Sequence, residues 1–233
     1  MKLNLNHLPT FELTLPVSKE RITFRPFVMK EEKLLLMASE ADNYEDIVNA
    51  MNSSVNACTF GKVNCETYPM VDVQYLFLHL RGKSVGEVLD FSVICSSCKN
   101  KTPYQLNIND FKVTEHPNHS CVVNIAEQVK VTMQYPNIRH LGMLSNSTNT
   151  VDDTYMVMAE CIESIQTDSE VFNASNSTTQ DKIDFIDNLT NEQFQKIEQF
   201  FATMPALRHV ITYTCNCGIE NTVTLDDVVN FFV

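Results

Sequence analysis

Two close pairs of cysteines, Cys95-x-x-Cys98 and Cys215-x-Cys217, are the residues of this sequence best suited to chemistry. Each pair lies between two apolar, strand-like stretches, and each is followed at equal distances by a Tyr or Val and then by a Leu. In zinc ribbons, two turns of this kind bring four thiolates together around a tetrahedral metal ion. The pattern therefore predicts a split zinc ribbon in which Zn²⁺ is bound by Cys95, Cys98, Cys215 and Cys217.

The predicted zinc is structural, because four thiolates leave no coordination position open for water or a substrate. Gly218 follows the second pair and suits the left-handed backbone that such a turn requires, and Asn100 is expected to play the same part in the first turn. We expect one zinc ion per chain. Such an ion would tie the C-terminal pair to the middle of the sequence.

Three other interpretations of the thiols stay open on sequence alone. In the first, the two pairs are free thiols in turns. In the second, His116-x-x-His119 or Cys121 supplies the further ligands to a metal bound by Cys95 and Cys98. His116-Pro117-Asn118-His119 has the composition of an exposed polar turn. A redox-active pair would begin a helix, which lowers the thiol pKa, whereas the residues after Cys98 lead into a predicted strand.

The elements that position the first pair are predicted from periodicity. Phe11–Leu15 and Arg21–Phe24 alternate around a turn, which indicates an N-terminal hairpin. Helices are predicted over 29–41 and over the next segment, where one face is apolar at Ile47, Met51, Val55 and Cys58. A third helix is predicted over 71–81, which is apolar nearly all round and suits the centre of the core. For 71–81 a buried strand is the alternative.

The second half begins with predicted strands and continues with helices. The strands are 91–94, 104–108, 122–125 and 129–133. Spacings of three and four from Val151 to Ile165 predict a helix, and Thr190-x-x-Gln193 predicts a capping box at the start of another. A polar loop is expected at 173–179, and residues 209–214 and 221–225 are expected to pair as strands.

Composition narrows the class of protein. The chain has 233 residues, 44% of them hydrophobic, and a net charge of -12, with basic residues in no dense cluster. Such a chain suits a compact α+β protein with no membrane span and disfavours nucleic acid as a partner. We expect a single domain over 1–233, with a zinc-ribbon-like lobe at about 89–135 and 207–233. Eight cysteines and no secretory signal favour reduced thiols in a cytoplasm.

No motif for enzymatic chemistry was found. The sequence lacks the glycine-rich phosphate loops, the G-x-S-x-G nucleophile motif and the H-E-x-x-H metalloprotease motif. His79 lies in an apolar segment, where a core histidine is expected more often than a general base. The acidic stretch 181–187 fits a solvated helical face. We therefore predict a protein that is not an enzyme and has no small-molecule substrate.

Several long segments resemble the T4-type baseplate hub subunit family of contractile phages. They are LPTFELTLPVSKERITFRPFVMKEEKLLLMA at 8–38, DVQYLFLHLRGKSVGEV at 72–88, the CSSC segment, QFQKIEQFFATMP at 193–205 and TCNCGIENTVTLDDVVNFF at 214–232. The resemblance implies a late, non-catalytic structural or assembly protein of the virion tail baseplate, acting in the host cytoplasm while the hub is assembled. The family pattern usually has C-x-x-C near the C-terminus, where this chain has C-x-C.

The resemblance also implies partners, namely other hub, spike or tail assembly proteins. We hypothesise that the FRPF segment at 24–27 and the aromatic pair Phe231-Phe232 contribute contacts to them. The alternative function is a zinc-ribbon adaptor that binds nucleic acid or a transcription partner, and a salt-dependent interaction with DNA would favour it.

Overall fold

A computed structural model describes residues 8–40, 43–140 and 150–225 of the chain. The fold is α+β, as predicted, with helices and several small antiparallel sheets. The chain forms two compact units, one from the segments Met1–Thr114 and Ala206–Val233 and the other from Glu115–Pro205. The second unit is thus inserted into the sequence of the first.

The first unit begins with the predicted hairpin and three helices. Strands β1 (Phe11–Thr14) and β2 (Arg21–Phe24) pair antiparallel, and helices α1 (Met29–Glu40), α2 (Tyr44–Cys58) and α3 (Met70–Ser84) follow. The buried carboxylate of Asp72, in the first turn of α3, fixes the hairpin turn. It accepts hydrogen bonds from the backbone N–H of Val17 at 2.7 Å and from that of Ser18 at 2.8 Å. One buried side chain therefore joins the hairpin to the helical body.

Helix α3 is the centre of this unit's core. Its apolar side chains point in nearly all directions and are buried, which decides the predicted segment 71–81 in favour of a helix: Val71, Val73, Leu76, Phe77, Leu78 and Leu80. Gly82 lies so close to Ile108 that a Cβ at this position would come within 2.0 Å of the isoleucine Cδ1. Because α3 contacts the 3₁₀ turn Ile108–Asp110, a larger residue at position 82 would force the end of the Ile108 side chain to shift.

The FRPF segment belongs to the same core. Phe24 is 2% exposed, with its ring centroid 5.7 Å from that of Phe11, and Phe27 packs on Phe77 at 5.5 Å. Arg25 forms an ion pair with the buried Glu31 at 3.0 Å. The hypothesis of partner contacts is therefore wrong for Phe24, which supports the fold of this unit. Phe231 and Phe232 lie outside the described residues.

The sheets of the first unit carry the cysteine pairs. Strand β3 (Val88–Ile94) pairs with β4 (Lys101–Asn107). A separate sheet has the order β11 (Glu220–Leu225), β10 (Ala206–Thr214), β5 (Lys112–Thr114). Because Thr114 pairs directly with Ala206, the chain leaves this sheet and returns to it at the same point.

The second unit packs helices on one four-stranded sheet. The strand order is β6 (Val122–Ala126), β7 (Val129–Met133), β8 (Ile162–Gln166), β9 (Val171–Asn173). The helices described over their full length are α4 (Thr150–Glu160), α5 (Thr179–Asp187) and α6 (Asn191–Thr203). The sequence analysis placed β6 and β7 in the zinc-ribbon-like lobe. In the structure β6 pairs with β7, and β7 also pairs with β8, so both strands belong to this sheet.

Two expectations for this unit have different outcomes. The capping box at Thr190 and Gln193 is confirmed. The helix predicted from Val151 to Ile165 is wrong beyond Glu160, because Ile162 and Ile165 belong to β8 and pair with strand β7. Their β-branched side chains suit a pleated sheet, and their spacing of three coincides by chance with a helical repeat.

Candidate metal centre

The structure brings together the four cysteines that the sequence singles out. Their sulfur atoms all lie within 4.8 Å of one another. Cys95 Sγ is 3.8 Å from Cys217 Sγ, and Cys98 Sγ is 3.6 Å from Cys215 Sγ. Each of these contacts joins one hairpin to the other, so the cluster links segments that are far apart in sequence. Cys95 and Cys215 are buried, whereas Cys98 and Cys217 are exposed.

Two similar hairpin ends present the thiols. In each hairpin, the residue before the first cysteine pairs with the residue three positions after the second: Ile94 with Lys101, and Thr214 with Glu220. The turns are closed by hydrogen bonds from the first cysteine's N–H, at 3.0 Å from Cys95 to Asn100 O and at 2.9 Å from Cys215 to Ile219 O. The two ends are thus built alike, although one pair is a residue shorter.

A left-handed residue follows the second cysteine of each turn. It is Gly218 in the second turn, with φ of 83°, as the sequence predicts. In the first turn it is Lys99, with φ of 60°, and the expectation for Asn100 is wrong. The one-residue difference between the pairs is absorbed between the cysteines, so the reversal comes directly after each second thiol.

The geometry fits a tetrahedral metal ion. Zinc–thiolate bonds are about 2.3 Å long, so the sulfur atoms of an ideal tetrahedron lie about 3.8 Å apart. The closest inter-hairpin distances of 3.6 and 3.8 Å agree with that edge, and they exceed the roughly 2.05 Å of a disulfide bond. Four soft thiolate donors suit Zn²⁺.

The electrostatics of the site favour a thiolate at Cys95. The pKa of Cys95 is lowered to about 6, chiefly by the backbone N–H of Cys98; burial opposes this, and the N–H of Ser97 and the Asn221 side chain contribute further. Because the thiolate is the metal-binding form, this lowering prepares the site for a cation. The pKa of Tyr213 is raised, first by burial and then by the negative charge of the cysteines.

Asn221 is a residue of the site that sequence analysis missed. Its Oδ1 accepts hydrogen bonds from the backbone N–H of Ser96 at 2.9 Å and from the Ser96 hydroxyl at 2.8 Å. Its Nδ2 donates to Cys95 Sγ at 3.5 Å and to Ile219 O at 3.0 Å. One buried amide on β11 thereby connects the two turns and contacts a sulfur of the cluster.

The two histidines considered as alternative ligands are engaged elsewhere. His119 contacts Thr203 Oγ1 at 3.0 Å and Tyr135 OH at 2.9 Å through its two ring nitrogens. The His116 ring accepts from the backbone N–H of Asn118, as expected of a polar turn. Among the described residues, the four cysteines are the only group of three or more metal-ligating side chains close enough together to hold an ion.

Three further thiols are buried and separate from the cluster. Burial raises the pKa of Cys58 to about 11 and the pKa values of Cys65 and Cys161 to about 12. Thiols with such pKa values are protonated at neutral pH and behave as small apolar core residues. Among the thiols with a resolved pKa shift, Cys95 is therefore the one that favours the thiolate form.

Comparison with known proteins identifies the family. The family model described as T4 bacteriophage base plate protein matches residues 8–233. The chain therefore belongs to the T4 base plate protein family, a class of phage structural proteins. No curated protein and no solved structure shows a significant match. In the described part of the chain, every helix is too short or too polar to cross a bilayer.

Proposed function

We propose that this protein is a non-catalytic structural or assembly subunit of the baseplate hub of a contractile phage tail, and that it acts through protein–protein contacts. The observation that carries the proposal is the family match, which covers residues 8–233 and hence both units. In this proposal the chain is a late protein that joins other hub, spike or tail assembly proteins in the host cytoplasm and functions at the virion baseplate.

The cysteine cluster supports a structural role in this proposal. Four thiolates complete the coordination of Zn²⁺, so the ion has no open position for a substrate or an activated water. The bound ion would hold the β3–β4 hairpin against the β10–β11 hairpin. Since metal-binding free energy is also folding free energy, the bound ion would stabilise the first unit, into whose sequence the second unit is inserted.

The charge of the chain bears on its partners. A net charge of -12 keeps the free subunit soluble and favours association with a basic surface, because complementary potentials steer the encounter of two proteins. The same charge disfavours a phosphate backbone as a ligand. We therefore infer protein partners with basic patches, and no nucleic acid.

The test is genetic and structural. A phage in which this gene is disrupted should produce filled heads without complete tails, and the wild-type gene supplied in trans should restore them. The Cys95→Ser variant should restore tails poorly, whereas Cys121→Ser, a thiol outside the cluster, should restore them fully. Normal tails in the disrupted phage would refute the proposal. Separately, mass spectrometry of purified wild-type virions would show whether the subunit stays in the finished particle.

A further inference from the structure

The strand β9 is an exposed edge of the sheet in the second unit. It pairs with β8 on one side, and no other described strand pairs with its far side. Val171 is 57% exposed and Phe172 is 49% exposed. Proteins usually protect such an edge with charge, proline or a covering segment, because its free backbone groups can pair with another chain.

The hydrogen-bond pattern shows which backbone groups are free. The turn before β9 is closed by a bond from Thr167 N–H to Glu170 O at 2.9 Å. Bonded and non-bonded pairs alternate along an antiparallel ladder, so the pair Ile165–Phe172 is bonded and Val171 directs its N–H and C=O away from β8. An incoming strand could pair with Val171 without any change in the sheet.

An apolar groove lies beside this edge. It has a volume of about 330 Å³ and is lined by Phe172 and Ile165, which are cross-strand partners, and by Val129 and Phe185 from the neighbouring strand and helix. Side chains of an added strand alternate between the two faces of the sheet. One large apolar side chain of that strand would therefore enter the groove.

Three exposed carboxylates lie beside β9 and the groove, and we call them the acidic rim. Asp181, at the start of α5, lines the groove itself, whereas Asp168 and Glu170 lie in the turn that leads into β9. The one basic residue of the lining, Lys182, has a side chain only 8% exposed, and its Nζ lies 3.5 Å from Glu160 Oε2. Its charge is therefore already neutralised, and the rim would attract lysine or arginine side chains.

We propose that β9 receives an extended segment of another base plate protein as an added fifth strand, with a large apolar side chain in the groove and flanking basic residues on the acidic rim. The proposal rests on the proposed function, since it supplies a partner for a subunit that works by contact. Backbone pairing would provide affinity and the groove would provide specificity.

Photo-crosslinking within infected cells tests this proposal on the intact chain. A photoreactive benzoylphenylalanine is placed at position 172, and in a matched control at position 122, since Val122 is 46% exposed on β6 at the opposite edge of the same sheet. The crosslinked peptide is then sequenced. We expect position 172, and not position 122, to capture a base plate segment with an apolar residue flanked by Lys or Arg.

Two variants give a second readout. Val171→Pro removes the outward N–H but no bond to β8, and Phe172→Ser removes the apolar wall of the groove, so both should keep the thermal unfolding of the free chain. Each should lower the yield of the co-purified baseplate intermediate by at least about tenfold, while Val122→Ser leaves it within about twofold.

The possible failures are distinct. If tails assemble with this subunit but position 172 captures nothing, captures an acidic or helical segment, or behaves like position 122, the docking proposal is overturned and the proposed function stands. Variants that assemble at the wild-type yield would overturn it too. If the subunit enters no baseplate intermediate, both proposals are overturned.

Discussion

Replacing Asn221 by Ala tests whether this amide organises the cysteine cluster. The change removes two hydrogen bonds accepted from Ser96 and one donated to Ile219. At about 1 kcal/mol for each bond the total is about 3 kcal/mol, and because the Ser96 groups can rebind water we expect a loss of about 1–2 kcal/mol in the free energy of unfolding. It also removes the donor to Cys95 Sγ.

Loss of that donor should weaken metal binding. Removing a residue that hydrogen-bonds to a metal ligand typically lowers metal affinity by about 10-fold to 100-fold. We therefore expect a decrease of this size in zinc affinity, measured by competition with a chromogenic chelator. Asn221→Asp keeps an oxygen that can accept from Ser96 but places a negative charge beside the thiolates, so it should lower zinc affinity with a smaller loss of hydrogen bonds. Thr222→Ala, an exposed neighbour on the same strand, is the control.

If Asn221→Ala binds zinc as tightly as the wild type, the amide has no role in the site. Equal effects of Asn221→Ala and Thr222→Ala on stability and zinc affinity would also contradict a specific role for Asn221, because they would show that any substitution on β11 has the same consequence.

Three further predictions concern the rest of the chain. Burial raises the pKa of Glu31, but hydrogen bonds from Arg25 and a backbone N–H outweigh burial and leave the pKa below its usual 4.5. Glu31→Gln should therefore lower the free energy of unfolding by about 2 kcal/mol at pH 7. Urea titrations should show this difference vanish as the pH falls through the lowered pKa, whereas a difference that stays constant with pH would contradict the prediction. Lys99→Gly should raise stability by up to about 1 kcal/mol, because a side chain is strained at φ of 60°, and a lower melting temperature would argue against that strain. In chelator-treated folded protein, iodoacetamide should modify the exposed clustered thiols well before Cys65 and Cys161, whose pKa values are about 12; equal rates by mass spectrometry would contradict their burial.

The cysteine cluster was open to prediction because its evidence is local and repeated. Both pairs lie between apolar strands with similar residues after them, so each turn could be recognised separately and their convergence inferred from the needs of a tetrahedral ion. Asn221 gave no such signal. A polar residue between strand residues has the pattern of a solvated face, and only the approach of the Ser96 turn makes it a buried connector.

The insertion of the second unit could not be predicted in the same way. Its boundaries at Thr114 and Pro205 have no long linker, and the pairing of Thr114 with Ala206 is a contact between distant segments that periodicity does not reveal. The strand at Ile162 was missed for a related reason: its apolar residues fit a helical repeat, and the contacts that decide the outcome come from β7.

The most direct test of the central claim is native mass spectrometry of the full-length protein, purified without chelator. We predict a mass increased by one zinc ion per chain, protection of Cys95, Cys98, Cys215 and Cys217 from alkylation, and a lower melting temperature once the metal is removed. A metal-free mass, together with a melting temperature that chelator does not change, would contradict the assignment of these four thiols to a structural metal site.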